Sequence, residues 1–427
     1  MPRPSERPRS AIDPVDLRTA RSRHAFGVRA RATPSGRAGA PWPTAFDEPR
    51  LSAKLQAFLA ANSLPTPYLV VDLDVIEARY RAFRAAMPGI EIYYSIKANP
   101  HPQVLGRLIR LGSKFEAASL AEIERCLAAG AESDALSFSN PIKKESEIAR
   151  AYGLGVRMFA FDSAGELMKL ARAAPGAVVF CRLLIDCVGA QWPLSRKFGC
   201  DPALACHLLR QARELGLRPQ GVSFHVGSQQ LSADQWNVGI AAAAQVFFRS
   251  RAEGIELVFV NLGGGFPGRY REPIPPLTAY DAAIRQAMAQ HFGPCGERLR
   301  LLAEVGRGLV AEAGVIDSEV VLIARKSAVD RRRWIYLDVG VFNGLIETIG
   351  ESIEYPIQSS AEGHAMPVIL AGCTCDSLDI LYEVAEYHLP AQLDIGDRVR
   401  ILSTGAYTYP YASVEFNGLP PLPVVCI

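Results

Sequence analysis

The sequence predicts an α/β protein built from a closed (β/α)8 TIM-like barrel and a C-terminal all-β domain. Two observations carry this. From residue 90 to about 306, short apolar runs alternate with longer amphipathic ones eight times. The short runs are apolar on both faces, as strands packed between a barrel interior and an outer helix layer must be. After about residue 312 the alternation stops, and strands separated by turns replace it, which marks a separate β domain. A doubly wound open sheet is the competing arrangement, but it uses fewer strands and a fingerprint near its first turn.

Residues 1–45 stand apart, with Arg3, Arg7, Arg9, Arg18, Arg21, Arg23, Arg29, Arg31 and Arg37, several prolines and no lysine. Such a segment buries too little surface to offset its chain entropy, so a disordered tail is expected. Its Arg-rich, acid-poor start also has the composition of an organellar transit peptide, and without an apolar h-region secretion is not expected. The barrel is assigned to residues 46–312. It is preceded by a strand at Tyr68-Leu69-Val70-Val71 that is free to join the β domain, then by a helix with Ile76, Tyr80, Phe83 and Met87 at helical spacing. Barrel strands are expected at 90–97, 114–118, 135–140, 157–162, 178–185, 220–226, 257–262 and 300–305, with helices at 119–129, 163–173, 201–214 and 232–252 among the segments between them. The β domain, 313–427, carries the runs Val320–Ile323, Trp334–Leu337, Pro367–Leu370 and Arg398–Ile401.

A net charge of +2 over 427 residues gives no global attraction to nucleic acid or an anionic membrane. No apolar run approaches the roughly 20 residues that span a bilayer. Nine cysteines in a chain this long, with no secretory signal, read as reduced thiols. Cys373-Thr374-Cys375 lacks a second Cys/His pair at zinc spacing, so no metal site is expected there.

The chemistry begins at Lys97, where the apolar run Ile92-Tyr93-Tyr94-Ser95-Ile96 ends in a single amine before a turn. Lost hydration penalises an ammonium and lowers its pKa, which suits Schiff-base chemistry. A lysine that only caps the strand and reaches water fits the same segment. Barrel enzymes gather reactive groups at C-terminal strand ends and bind phosphate after strands seven and eight. Here strand seven runs into Gly263-Gly264-Gly265, where backbone N–H groups face no Cβ, and strand eight ends in Glu304-Val305-Gly306-Arg307. Arginine forks onto phosphate; a tight turn is the alternative use of the glycines. A phosphate site facing a strand-tip amine in a barrel points to pyridoxal phosphate. Glu304 is then the carboxylate for the pyridine nitrogen, His225 at the end of strand six stacks on the ring, and Ser228 lies near the phosphate. His225 alone also fits a hydrogen-bonded core histidine.

In this order, over about residues 60–420, the chain resembles the fold-type III pyridoxal-phosphate decarboxylases of the ornithine/lysine/arginine and diaminopimelate group, the ornithine decarboxylase branch above all. The resemblance implies that Lys97 holds the cofactor's aldehyde and that Glu116 and Arg182 lie around the cofactor. His225 would stack on it, and Ser228, Gly263, Gly264, Gly265, Arg307 and Tyr407 would hold the phosphate. Cys373-Thr374-Cys375-Asp376-Ser377-Leu378-Asp379 matches the catalytic cysteine motif. Cys375 would protonate Cα after CO2 leaves, and Asp376 would meet the substrate's distal amine. The family implies a head-to-tail homodimer with shared active sites, bridged by Lys197 and Asp379. Without the resemblance, Cys375 reads as a small buried hydrophobe.

Three positions depart from the family pattern. Val305 stands where proline is usual. Phe342 stands where eukaryotic members have tyrosine and many bacterial ones phenylalanine. The acid expected in the following loop has three candidates, Glu347, Glu351 and Glu354, of which Glu351 is favoured. The implied function is decarboxylation of a basic L-amino acid in the cytoplasm, ornithine to putrescine first and lysine to cadaverine second. Diaminopimelate or carboxylated-polyamine decarboxylation is the enzymatic alternative, although the diaminopimelate branch has Glu where Asp376 stands. A non-catalytic antizyme-inhibitor-like regulator would have lost residues that are present here.

Overall fold

The computed structural model describes residues 49–192 and 197–427; the expectations placed on residues 1–45 lie outside them. Strand β1 (Tyr68–Val71) is buried at every position. It is followed by β2 (Ile90–Ser95), β3 (Lys114–Ala117), β4 (Leu136–Phe138), β5 (Met158–Phe161) and β6 (Val178–Arg182). Then come a short β7 (Ala190–Trp192), β8 (Arg218–Ser223), β9 (Ser228–Gln230), β10 (Phe259–Asn261) and β11 (Arg300–Val305). Eight of these strands close into a barrel in the order β10-β11-β2-β3-β4-β5-β6-β8, and every pairing in it is parallel. β7 and β9 form a separate antiparallel ribbon.

Successive side chains on a strand point to opposite faces, and the barrel uses both. Tyr93, Ala160, Phe180, Phe259 and Leu302 make one buried cluster, the barrel filling. Their strand neighbours Ile92, Tyr94, Phe159, Phe161, Val179 and Cys181 belong to the larger core under the helices. Each fully buried apolar side chain of this size contributes roughly 1.5–3 kcal/mol. Gly221 admits the Phe259 ring, since a Cβ there would lie 2.3 Å from it. The expected helices form at Leu120–Ala128, Ala164–Ala173, Pro202–Glu214 and Gln235–Ala252. Ser119, Ser163 and Asp201 cap the first three by accepting backbone N–H bonds of 3.3, 3.4 and 2.8 Å.

Most barrel strands end before the apolar runs do, among them β2 at Ser95, β6 at Arg182 and β8 at Ser223. Local hydrogen bonds turn the chain at two of these ends. After β2, Asn99 N–H donates to Ile96 O at 3.1 Å and the Tyr94 hydroxyl donates to Asn99 O at 2.9 Å, closing a 3-10 turn over Ile96–Ala98. After β8, Gly227 N–H donates to His225 Nδ1 at 3.0 Å. Lys97 and His225 therefore sit on turns just beyond strand ends rather than within strands.

The second sheet contains β12 (Gly314–Ala324), β13 (Arg333–Leu337), β14 (Ile357–Ser359), β15 (Ala365–Ala371), β16 (Ile380–Pro390), β17 (Arg398–Leu402) and β18 (Val424–Cys426). Its order is β14-β17-β12-β13-β15-β16; β1 pairs antiparallel with β12, and β18 runs parallel to β1. The segment after β17 docks on the Lys97 turn. Tyr407 N–H donates to Ala98 O, and the Asn99 side-chain amide donates to Gly405 O, each at 2.9 Å. Among the described residues no helix is long and apolar enough to cross a membrane.

Candidate active site

The turns beyond the barrel strands bring an amine, two carboxylates, an imidazole and two guanidinium groups to one end of the barrel. Lys97 Nζ donates to Glu116 Oε2 on β3. The Lys97 side chain keeps 44% of its surface open to the cleft while Glu116 keeps 4%, so the amine is ringed by protein yet reachable. The sequence alone implied a depressed ammonium. Burial does pull it down, but Glu116, Tyr407 and Glu304 outweigh burial and the net direction is up. The local run could not reveal this, because Glu116 comes from the next strand.

Glu304 is the penultimate residue of β11, and its Oε1 accepts from the Asn261 amide at 2.7 Å. Asn261 Oδ1 in turn accepts Gly263 N–H at 3.0 Å, so one side chain ties the carboxylate to the glycine run. Burial, then the neighbouring Glu116 carboxylate, pushes Glu304 above the usual carboxylate range. A cation placed beside it would relieve both effects. His225 is held neutral: burial, then Arg182 and Lys97, lower it well below 6.5. Since its Nδ1 accepts Gly227 N–H, the neutral ring carries its proton on Nε2. Arg182 ends β6, with its guanidinium 5.1 Å from the centre of the Phe198 ring.

The glycine run packs closely. Gly263 has φ +65°, and a Cβ on it would lie 1.9 Å from Phe224 O. One on Gly264 would lie 2.8 Å from Glu304 O and 2.9 Å from His225 Nε2. Gly265, at φ +113°, faces Gly227 O in the same way. The run thus presses strands seven and eight and the His225 turn together and leaves a cradle that any side chain would fill. Beside it, buried Arg307 donates to Ser228 Oγ from Nε and Nη2 at 3.3 and 3.0 Å, and to the Tyr270 hydroxyl at 2.8 Å. Its Nη1 and Nη2 also fork onto Glu347 at 2.7 and 2.5 Å. The Tyr407 ring lies 4.8 Å from the guanidinium carbon, on a residue with φ +55°.

Asn261 and Tyr270 were missed in the sequence, and Glu347 was a candidate there but ranked behind Glu351. Asn261 left a signal, a lone amide ending the apolar run Val258-Phe259-Val260 and separated from the glycines by Leu262 alone. Glu351, favoured as the substrate acid, is not brought to this cluster. Its carboxylate accepts the backbone N–H groups of Glu383, Val384 and Ala385 at 2.7, 2.8 and 2.7 Å, and three such bonds fix it to β16. Glu354 pairs with Arg271 at 3.3 Å. Of the three acids only Glu347 joins the barrel-end groups.

None of the described bonds of the Lys97 cluster reaches Cys375 or Asp376. Cys375 is exposed on the loop between β15 and β16, and Asp376 Oδ1 accepts Leu378 N–H at 2.8 Å. Asp379, expected to bridge two protomers with Lys197, is buried within its own protomer. Its oxygens accept Val341 N–H, Thr374 N–H and the Thr374 hydroxyl at 2.7, 3.0 and 2.6 Å.

The donor set suits a phosphorylated aldehyde with a basic ring nitrogen: an amine, a carboxylate lacking a full counter-charge, a flat neutral imidazole and a guanidinium beside a side-chain-free cradle. The comparisons agree. The family model described as pyridoxal-dependent decarboxylase, pyridoxal binding domain, matches residues 73–311. The lysine/ornithine decarboxylase of Selenomonas ruminantium is 31% identical over 379 residues, covering 88% of this chain and 93% of that protein. The ornithine decarboxylase of Caenorhabditis elegans is 30% identical over 90% of this chain and 92% of its own. A crystal structure of the lysine/ornithine decarboxylase from Vibrio vulnificus, complexed with cadaverine, superposes with a TM-score of 0.79 at 30% identity, covering 88% of this chain and all of that one. The chain belongs to the fold-type III pyridoxal-dependent decarboxylases. Within them it falls in the branch of the ornithine and lysine enzymes, and its cofactor is pyridoxal phosphate.

Proposed function

We propose that this chain decarboxylates L-ornithine first and L-lysine second, giving putrescine or cadaverine for polyamine biosynthesis, as a cytoplasmic head-to-tail homodimer. One observation carries the reading. Lys97, Glu304 and Arg307 converge on one barrel end, supplying the amine, carboxylate and guanidinium that the aldehyde, ring nitrogen and phosphate each need. Relatives named for lysine and ornithine support a diamine product.

When bound, the cofactor's protonated ring supplies a sink for the electron pair left at Cα as CO2 departs. The residues of the chain do the rest. Lys97 Nζ would hold the aldehyde, and Glu116 Oε2, which already accepts from it, is placed to take the proton that the ammonium must shed to react. Glu304, aimed by Asn261, holds the proton on the ring nitrogen. His225 offers a neutral face and adds no positive charge next to that ring. Arg307, Ser228, Tyr407 and the Gly263–Gly265 cradle would bind the phosphate, and Arg182 adds positive charge near Glu304 and Glu116.

Cys375 delivers the proton at Cα, and Asp376 selects the distal ammonium by charge. Both come from a second copy of the chain, since neither bonds to the cluster of its own protomer. Leu378 and Val414, 65% and 76% exposed, give that second copy apolar surface to cover.

The test is CO2 release by purified protein with pyridoxal phosphate across ornithine, lysine, arginine and diaminopimelate, together with borohydride reduction and peptide mapping. Release from ornithine and lysine with the reduced label on Lys97 is expected. No release from either diamine precursor, or a label on another residue, overturns the reading.

A further inference from the structure

We infer that Asn417 is a positioning residue for the Cys375 proton donor, aiming the thiol and stabilising the sulfur once its proton has gone. This rests on the reading of Cys375 given above. Asn417 Oδ1 accepts the Cys375 backbone N–H at 2.9 Å, and Asn417 Nδ2 lies 3.2 Å from Cys375 Sγ. The amide orientation is fixed by chemistry. A backbone N–H only donates, so it must face the oxygen, and the side-chain NH2 is then the group that faces sulfur. One planar amide thus grips both the main chain and the reactive atom of the same residue, from a segment 42 positions away in the sequence.

The turn that presents it is costly. Glu415 and Asn417 have φ of +58° and +55°, in the left-handed region that only glycine enters freely. Phe416 between them packs on Phe342 with ring centres 4.8 Å apart, which anchors the turn to the loop after β13. Asparagine tolerates the left-handed conformation better than most residues, and its oxygen ties down the Cys375 main chain, but that bond does not itself require the NH2 to lie within reach of the thiol.

Proton donation explains the aim. When the Sγ–H bond breaks, its proton and the electron pair freed by CO2 make the new Cα–H bond, and sulfur keeps the S–H pair as a thiolate. An N–H already pointed at that sulfur stabilises the charge as it develops. Were the thiol misplaced, the freed pair would instead take a proton from the Lys97 ammonium at the carbon that had been the cofactor's aldehyde. One water then releases the substrate chain as an aldehyde, and the nitrogen stays on the cofactor as an amine. The ratio of diamine to aldehyde product therefore reports how faithfully the thiol is placed.

Asn417→Asp separates the two bonds, because it keeps an oxygen for Cys375 N–H and replaces the N–H at sulfur with an anion. In this variant the diamine-to-aldehyde ratio from lysine or ornithine should fall at least tenfold and kcat should fall with it, while KM stays within twofold. In cofactor-free protein, iodoacetamide alkylation of Cys375, followed by mass spectrometry of its peptide, should slow at least threefold. Asn417→Gly keeps the left-handed backbone and loses both bonds, so it should also shift the ratio, which guards against a folding defect peculiar to the aspartate. On a Cys375→Ala background, Asn417→Asp should add nothing to the ratio. If Cys375→Ala shifts the ratio and Asn417→Asp does not, the inference about Asn417 is overturned and the thiol's role stands. If Cys375→Ala leaves the ratio unchanged, the thiol itself is misassigned.

Discussion

Arg307 and Glu347 form a two-pronged ion pair in which both side chains are almost wholly buried, 2% and 4% exposed. With Ser228 and Tyr270 taking its other N–H groups, every donor of the Arg307 guanidinium is spent inside the protein. Glu347, with burial working against it, holds the guanidinium well above its ordinary value. A phosphate can gain Arg307 only by sharing or displacing one of these partners.

That competition yields a prediction. Glu347→Gln leaves Arg307 buried with no counter-charge, which costs about 3 kcal/mol in the cofactor-free protein. A bound phosphate supplies a replacement anion, so pyridoxal phosphate should restore more of the loss in the variant than it adds to the parent. Thermal unfolding of both proteins with and without cofactor measures this. An equal cofactor-induced rise in the two midpoints would show that Glu347 and phosphate do not draw on the same guanidinium.

His225 gives a pH dependence with a defined sign. Its folded value lies well below 6.5 because burial, Arg182 and Lys97 all oppose the charged ring. The unfolded chain takes up a proton at about pH 6.5 that the folded chain refuses, so this penalty is absent above that pH and grows below it, by up to about 1.4 kcal/mol per pH unit. In cofactor-free protein, His225→Asn keeps an acceptor for Gly227 N–H and removes the titration. Between about pH 7.5 and 5.5 the parent should lose more stability than the variant in urea unfolding. Parallel losses would place a charged imidazole in the fold.

Much of the barrel was legible because its signal is local. Strands apolar on both faces, such as Val178-Val179-Phe180-Cys181, have one plausible home in an α/β protein, and once they are ordered, Lys97, Glu116, His225, Glu304 and Arg307 fall at their C-terminal ends. What stayed hidden depends on partners far away in the chain. Lys97 reads as a desolvated amine until Glu116 arrives from the next strand. The choice among Glu347, Glu351 and Glu354 turned on a loop with no periodicity, where Ile349 and Gly350 break the 3-10 geometry and swing Glu351 toward β16. The resemblance placed Asp379 at an interface, while its bonds to Val341 and Thr374 within the protomer leave no trace in composition.

Asp379 also supports the last prediction, since its carboxylate is the hub of the cysteine loop. A Cβ on Gly340 or Gly372 would lie 2.1 or 2.3 Å from its oxygens, so two glycines make room for it. Asp379→Asn replaces one acceptor oxygen with an NH2 group facing backbone or hydroxyl donors, leaving a buried donor unpaired at a cost of about 1–3 kcal/mol. Because Thr374 adjoins Cys375, the variant should lose most of its turnover through misplacement of the thiol while the cofactor's visible absorbance, set at the barrel end, stays at the parent level. Absorbance titration with pyridoxal phosphate and CO2 release on one preparation separate the two effects. Loss of cofactor binding in step with turnover would mean that the loop and the barrel end are not independent, and that Asp379 holds more of the molecule together than its bonds to Val341 and Thr374.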